Sequence, residues 1–171
     1  MKIILYMMVS LLVGCATPAM QQQMVINPLD VGVKANVALT NSVTLRNVSG
    51  GSATNPFWLS KVGTNEFKGA LLESLQEYGY LSSSPEKGKI ILDVNLEKLE
   101  QPIIGLTISV VSVVSYTIEE NGFQKKYQIV ATGSASPSEE FIGYKRLKIA
   151  NERSINENIR IFVRKLSSEI N

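Results

Sequence analysis

LTISVVSVVSYTIEENGFQKKYQIVATGSA (residues 106–135) is the stretch on which the fold turns. Its first half is the most apolar internal segment of the chain, so a membrane-spanning helix has to be weighed for it. Against a helix, Ser and Thr alternate with Val and Ile, β-branched side chains favour an extended backbone, and the run falls short of the roughly 20 residues a bilayer demands. Read as a strand, Leu106, Ile108, Val110, Val114, Tyr116 and Ile118 share one face, interrupted by Ser112. Asn121-Gly122 is a pair favoured in a type I′ hairpin, because both residues accept positive φ. Tyr127, Ile129 and Ala131 then face inward from the returning strand. Val111 and Val113 fall on the outer face among Ser and Thr, a mildly apolar strip suited to a partner protein or a second copy. A strand at the edge of such a sheet can also add to another sheet.

Working outward, KIILDVNLEKLE (residues 89–100) puts Ile90, Leu92, Val94 and Leu96 on one side and Ile91, Asp93, Asn95 and Glu97 on the other. Pro102 and Gly105 break that run. Upstream, Phe67, Leu71, Leu75 and Tyr78 recur at helical spacing, with Thr64 or Asn65 as a cap, Glu66 at the positive end of the dipole and Gly79 as the stop. Val43 and Leu45 alternate with Thr44 and Arg46 before Ser49-Gly50-Gly51, a first short strand and a turn. After Pro137 the chain turns helical again, and Ile155, Ile159, Phe162, Leu166 and Ile170 form an apolar stripe. The order β-α-β-β-β-α predicts an α+β fold, a two-layer α/β sandwich. Its four-stranded, mostly antiparallel sheet is covered on one face by two helices and fills one domain over residues 39–171.

The chain opens on MKIILYMMVSLLVGC. Lys2 and the apolar run from Ile3 to Val13 fit a secretory leader and are too short to span a bilayer. Leu12-Val13-Gly14-Cys15 resembles the lipobox of bacterial lipoproteins, with residues 1–14 as the signal peptide. That resemblance implies cleavage after Gly14, a diacylglyceryl group on the Cys15 sulfur and an acyl chain such as palmitate on the new amino terminus. It also accounts for the only cysteine in the chain. Ala16, where an inner-membrane lipoprotein would carry Asp, resembles proteins passed on to the outer membrane. Residues 15–38 show no sustained period, carry Pro18 and Pro28 and read as the lipidated Cys15 followed by a flexible tether.

Composition narrows the chemistry. With 44% hydrophobic and 19% charged residues, and 17 basic against 15 acidic, the chain is an ordinary globular domain with no bulk charge for nucleic acid. It contains no histidine. Together with a committed cysteine, that removes Ser-His and Cys-His nucleophile pairs and nearly every nitrogen or sulfur metal site, so no catalytic residue, metal or cofactor is expected. The stretch GSASP (133–137) lacks the second glycine of a nucleophile elbow, and Gly50-Gly51 lacks the spacing and Lys of a phosphate loop. Glu119-Glu120 and Glu139-Glu140 flank turns and read as solvated acids.

GGSATNPFWLSKV, FKGALLESLQEYGYL, LEKLEQPIIGL and RLKIANERSINENI together resemble a small proteobacterial envelope lipoprotein family of unknown function. Members are sometimes labelled UDP-N-acetylglucosamine acyltransferase. Those enzymes are left-handed β-helices of hexapeptide repeats with a histidine base, and this chain shows neither, which argues against that activity. The architecture also resembles the lipopolysaccharide-assembly lipoprotein and the auxiliary lipoproteins of envelope ABC transporters.

Two features remain as candidate sites. At 100° per residue Arg146, Arg153, Arg160 and Arg164 fall within about 40° of one another on the last helix, a ridge for anionic lipid, lipopolysaccharide or an acidic partner, or else a solvated face relieved by Glu157. Trp58 is either an interface anchor or a core plug. The expectation is a non-enzymatic lipoprotein on the outer membrane, its domain facing the periplasm and binding another envelope protein or a second copy. The rivals are direct lipid or lipopolysaccharide binding through the ridge and a pocket beneath the helices, and a carboxylate-based hydrolase.

Overall fold

The computed structural model describes residues 17–54, 60–84, 88–102 and 105–169. Cys15, Gly14 and Trp58 lie outside the described residues, as does Ile170. Alternating strands and one-sided helices give the expected α+β architecture: β1 (Val43–Ser49), α2 (Thr64–Glu77), β2 (Ile90–Glu100), β3 (Ile108–Glu120), β4 (Phe123–Ala135) and α3 (Gly143–Glu169), preceded by a short α1 (Gln21–Met24). The sheet runs β1-β2-β3-β4 and does not close. β2, β3 and β4 form the antiparallel meander, and β1 lies parallel to β2 at the edge, joined to it by the α2 crossover. Asn121 and Gly122 both take positive φ, as a type I′ turn requires.

Residues 106–120 form a strand from Ile108 onward, and no helix among the described residues is long and apolar enough to cross a membrane. Ile108, Val110, Val114, Tyr116 and Ile118 are buried as expected. Leu106 is not: it precedes the strand and stands in solvent. Beneath α3, the Phe162 ring stacks on Tyr116 at 4.0 Å and meets Tyr127 edge-on. Gly133 explains how closely α3 crosses β4, since a Cβ there would lie 2.2 Å from the Ser154 amide nitrogen. Ser112, the gap in the apolar face of β3, is buried where its hydroxyl donates to Ser154 O at 3.0 Å. Asn158 on α3 completes the joint, donating to Ser112 O and Ile129 O and accepting from the Tyr116 hydroxyl at 2.9 Å. A fully bonded buried amide of this kind fixes the helix in one position on the sheet.

Two further sequence expectations are corrected. The start of α2 is capped by neither Thr64 nor Asn65; Gly63 is the flanking residue and no side chain caps the helix. The β1 exit packs against this end so tightly that a Cβ on Gly51 would lie 2.3 Å from the Thr64 nitrogen. The tether expected over residues 15–38 is, from Ala19 onward, part of the fold. Met24, Ile26, Val31 and Leu39 are fully buried, and the segment straps across the seam between α2 and α3. Ile26 N donates to Ser74 Oγ on α2, Asn156 Nδ2 on α3 donates to Val25 O at 2.7 Å, and Asn36 N donates to the Tyr80 hydroxyl. The apolar residues of the strap follow no helical or strand period because each fills a separate gap between two helices.

Candidate functional site

One layer of this sandwich has a free side. The strap and both helices lie on one face of the sheet, and the other carries the outward side chains of four strands. Two β-bulges shape it. Arg46 is the extra residue of β1 between the pairs Leu45/Leu92 and Asn47/Asp93, and Glu97 is the extra residue of β2 between Leu96/Val114 and Lys98/Val113. Bulges re-aim side chains, and here both re-aimed residues are charged.

Each anchors a cluster on the open face. The Arg46 guanidinium grips Asp93 bidentately, Nε to Oδ1 at 3.0 Å and Nη2 to Oδ2 at 2.5 Å, and reaches Glu119 at 3.2 Å. These partners raise the Arg46 pKa further. Glu97 accepts from the Ser115 hydroxyl, from Gln128 Nε2 at 2.6 Å and from Lys126 Nζ at 3.2 Å. Those hydrogen bonds, the Ser115 one first, hold its carboxyl below the usual carboxylate range. Next to this network Val113 pairs with Val130 and Val111 with Thr132, bordered by the Lys98–Glu100 ion pair and a Ser109–Ser134 hydroxyl contact. Val130 is 58% exposed, and Val111 and Val113 are half-buried. The hollow between Ser49, Asn95, Glu97 and Lys126 holds about 160 Å³, too little for a small-molecule site of roughly 300 Å³ or more. This is a surface for covering, with an apolar strip beside a charged field.

The arginine ridge is distributed among internal tasks. Arg146 Nη1 donates to Glu140 O and Phe141 O, closing the loop before α3. Arg153 donates to Ser134 O at 2.6 Å and pairs with Glu139 at 2.7 Å. Arg160 reaches Asp30 O and pairs with Glu157, and Arg164 Nε donates to Val31 O at 3.0 Å. Two of the four therefore hold the strap and two hold the β4–α3 connection. Glu139 is no free acid: Arg153 beside it, with the Ser136 amide and hydroxyl, holds its carboxyl at about 2. The space beneath the helices is filled by Phe162, Tyr116 and Met24. Among the described residues no group of His, Cys, Asp and Glu is placed to hold a metal ion.

The bulge-centred clusters escape sequence reasoning. Asp93, Asn95 and Glu97 are legible as the polar side of β2, but their partners depend on register and on two insertions that hydropathy does not mark.

No protein-family model matches the chain, and no curated protein matches it. Among solved structures it is similar to a hypothetical protein from Chlamydia trachomatis, with 12% identity and a TM-score of 0.51 over 75% of this chain and 98% of that one. It is also similar to an uncharacterised protein, with 13% identity and a TM-score of 0.54 over 77% of this chain and 96% of that one. A minor lipoprotein from Acinetobacter baumannii superposes more loosely, with 12% identity and a TM-score of 0.47 over 75% of this chain and 92% of that one. At these identities the first two likenesses bear on the fold alone: the α+β sandwich recurs in solved proteins that are matched over nearly their whole length.

Proposed function

We propose that the chain is a lipid-anchored envelope protein whose domain is a non-enzymatic binding or assembly module. Acyl chains on Cys15 hold it on the outer membrane, and the domain faces the periplasm with another envelope protein as its partner. The anchor rests on Leu12-Val13-Gly14-Cys15 behind a short apolar leader. The observation that carries the binding role is the uncovered sheet face, where Val111, Val113 and Val130 lie beside the Arg46–Asp93–Glu119 and Glu97–Lys126 clusters. An apolar strip flanked by fixed charges of both signs selects a partner by shape and by charge register. Lipid gripping by the arginines has less support, because each guanidinium already bonds to the protein's own carbonyls.

The test is a photo-crosslinking residue at Val130 in cells, with the same residue at Lys68 on the exposed side of α2 as the control. A discrete envelope protein captured from position 130 and not from 68 supports the proposal. A self-adduct identifies a second copy as the occupant, and equal, diffuse capture from both positions counts against a binding face.

A further inference from the structure

The strap fixes where the anchor must leave the domain. Its first hydrogen bonds are Ala19 N to Lys61 O at 3.1 Å and Met20 N to Glu152 Oε1 at 2.7 Å. Cys15 lies only four residues before Ala19, and an extended chain covers at most about 14 Å in that distance. The headgroup layer occupies about 5–7 Å of each leaflet, so a lipidated Cys15 leaves little room for the domain to stand off. The end carrying Ala19 must face the bilayer.

Topology shows what else sits at that end. β1, β2 and β4 finish there, β3 begins there, and α2 and α3 have their amino termini there. Gly143 opens α3 nine residues before Glu152, about 13 Å along the helix axis, so four residues of extended chain reach about as far as the helix tip extends. The loops at that tip present Phe141, 87% exposed, and Ile142, with Leu106, 81% exposed, before β3 and Met20 at the strap. Exposed apolar residues also mark the far end, Phe123 at the start of β4 beside the hairpin turn and Val37 beside the α3 carboxyl end, so exposure alone does not choose a pole. The tether does.

The charges at the anchor end are largely engaged. Glu139 pairs with Arg153, Lys98 with Glu100, Lys148 with Glu152, and Arg146 closes its own loop. Among the described residues Lys145, exposed in the first turn of α3, has no ion pair, so an anionic bilayer would add attraction; on a zwitterionic one the apolar tips supply the force.

We infer that this end of the domain is a membrane-docking pole, with Leu106, Phe141 and Ile142 inserted at the headgroup boundary of the bilayer that holds the anchor. The inference rests on the anchor reading of Cys15. It sets the sheet upright on the membrane, with its open face turned sideways to the periplasm and the hairpin end pointing away.

Lipidation consumes the only native thiol, so a single cysteine introduced as Leu106→Cys, Phe141→Cys or Phe123→Cys takes an environment-sensitive fluorophore. The mature chain isolated from cells is reconstituted in phosphatidylcholine vesicles containing a lipid-borne quencher. Quenching at positions 106 and 141 several-fold stronger than at 123, and unchanged in 1 M NaCl, is the expected result. Equal quenching at all three sites overturns the pole, as does quenching at 106 and 141 that vanishes in salt. Intact mass separates the two readings: lipid on Cys15 with the probes at 106 and 141 unquenched in water overturns the pole alone. An unmodified Cys15 overturns the anchor, and because that thiol would also take the fluorophore the pole is then read in a Cys15→Ser background, where quenched probes keep it and probes in water overturn it too.

Discussion

The inner and outer faces of the sheet are built from the same alternating strands, yet their polar groups are handled in opposite ways. Inside, Ser112, Asn158 and the Tyr116 hydroxyl are excluded from water and bonded to one another and to backbone, under a stack of aromatic rings. Outside, Arg46, Asp93, Glu97, Lys126 and Gln128 bond across strands while remaining in contact with water. The contrast teaches which face holds the fold together. A buried polar group left unpaired costs its full desolvation, whereas a solvated ion pair gives back to water most of what it gains. The outer network is thus free to serve recognition.

The contrast is broken hardest from within. Phe162→Ala removes the ring stacked on Tyr116 and should cost about 3–5 kcal/mol in urea-induced unfolding. Gly133→Ala follows, because the added methyl meets the α3 backbone at Ser154 and Ala150; about 1–3 kcal/mol is expected, with a larger loss if the helix has to lift away. Asn158→Ala unpairs Tyr116 and two buried carbonyls and should cost about 1–3 kcal/mol in the same assay.

Acid sharpens the comparison with smaller effects. Glu139, Glu97 and Glu169 titrate below their ordinary range because Arg153, Ser115 and Lys125, respectively, bond to the ionised form. Their stabilisation is present above the ordinary carboxylate pKa and is lost as pH falls, for Glu139 toward about 2. Glu152 runs the other way: burial raises its pKa against the pull of Met20 N and Lys148, so its contribution is present at low pH and lost as pH rises through the raised value. Urea midpoints measured from pH 2 to 7 should lose part of their acid limb in Glu139→Gln and part of their rise toward mild acid in Glu152→Gln. Arg46→Ala should do least: a small drop in melting temperature that disappears in 1 M salt, alongside loss of the Val130 crosslink if the charge cluster aligns the partner.

What could be read from the chain follows the same physics. Strand alternation and the helical stripes were legible because burial is periodic there, and Asn121-Gly122 announced its turn through backbone preference. Residues 19–39 were not legible: Met24, Ile26, Val31 and Leu39 fill gaps set by two helices far away in sequence, and no local period records that. The same blindness hides the partners of Arg160 and Arg164, since their acceptors are strap carbonyls whose position depends on that packing. Bulges at Arg46 and Glu97 shift the phase of their strands, so Leu99 turns inward in place of Lys98 without any signature in hydropathy.

The account depends most on the anchor, and the intact mass of the mature chain purified from membranes tests it directly. Cleavage between Gly14 and Cys15, with a diacylglyceryl thioether on the sulfur and an acyl chain on the new amino terminus, is the predicted result. A free thiol at Cys15 on a chain recovered from the soluble fraction would contradict it.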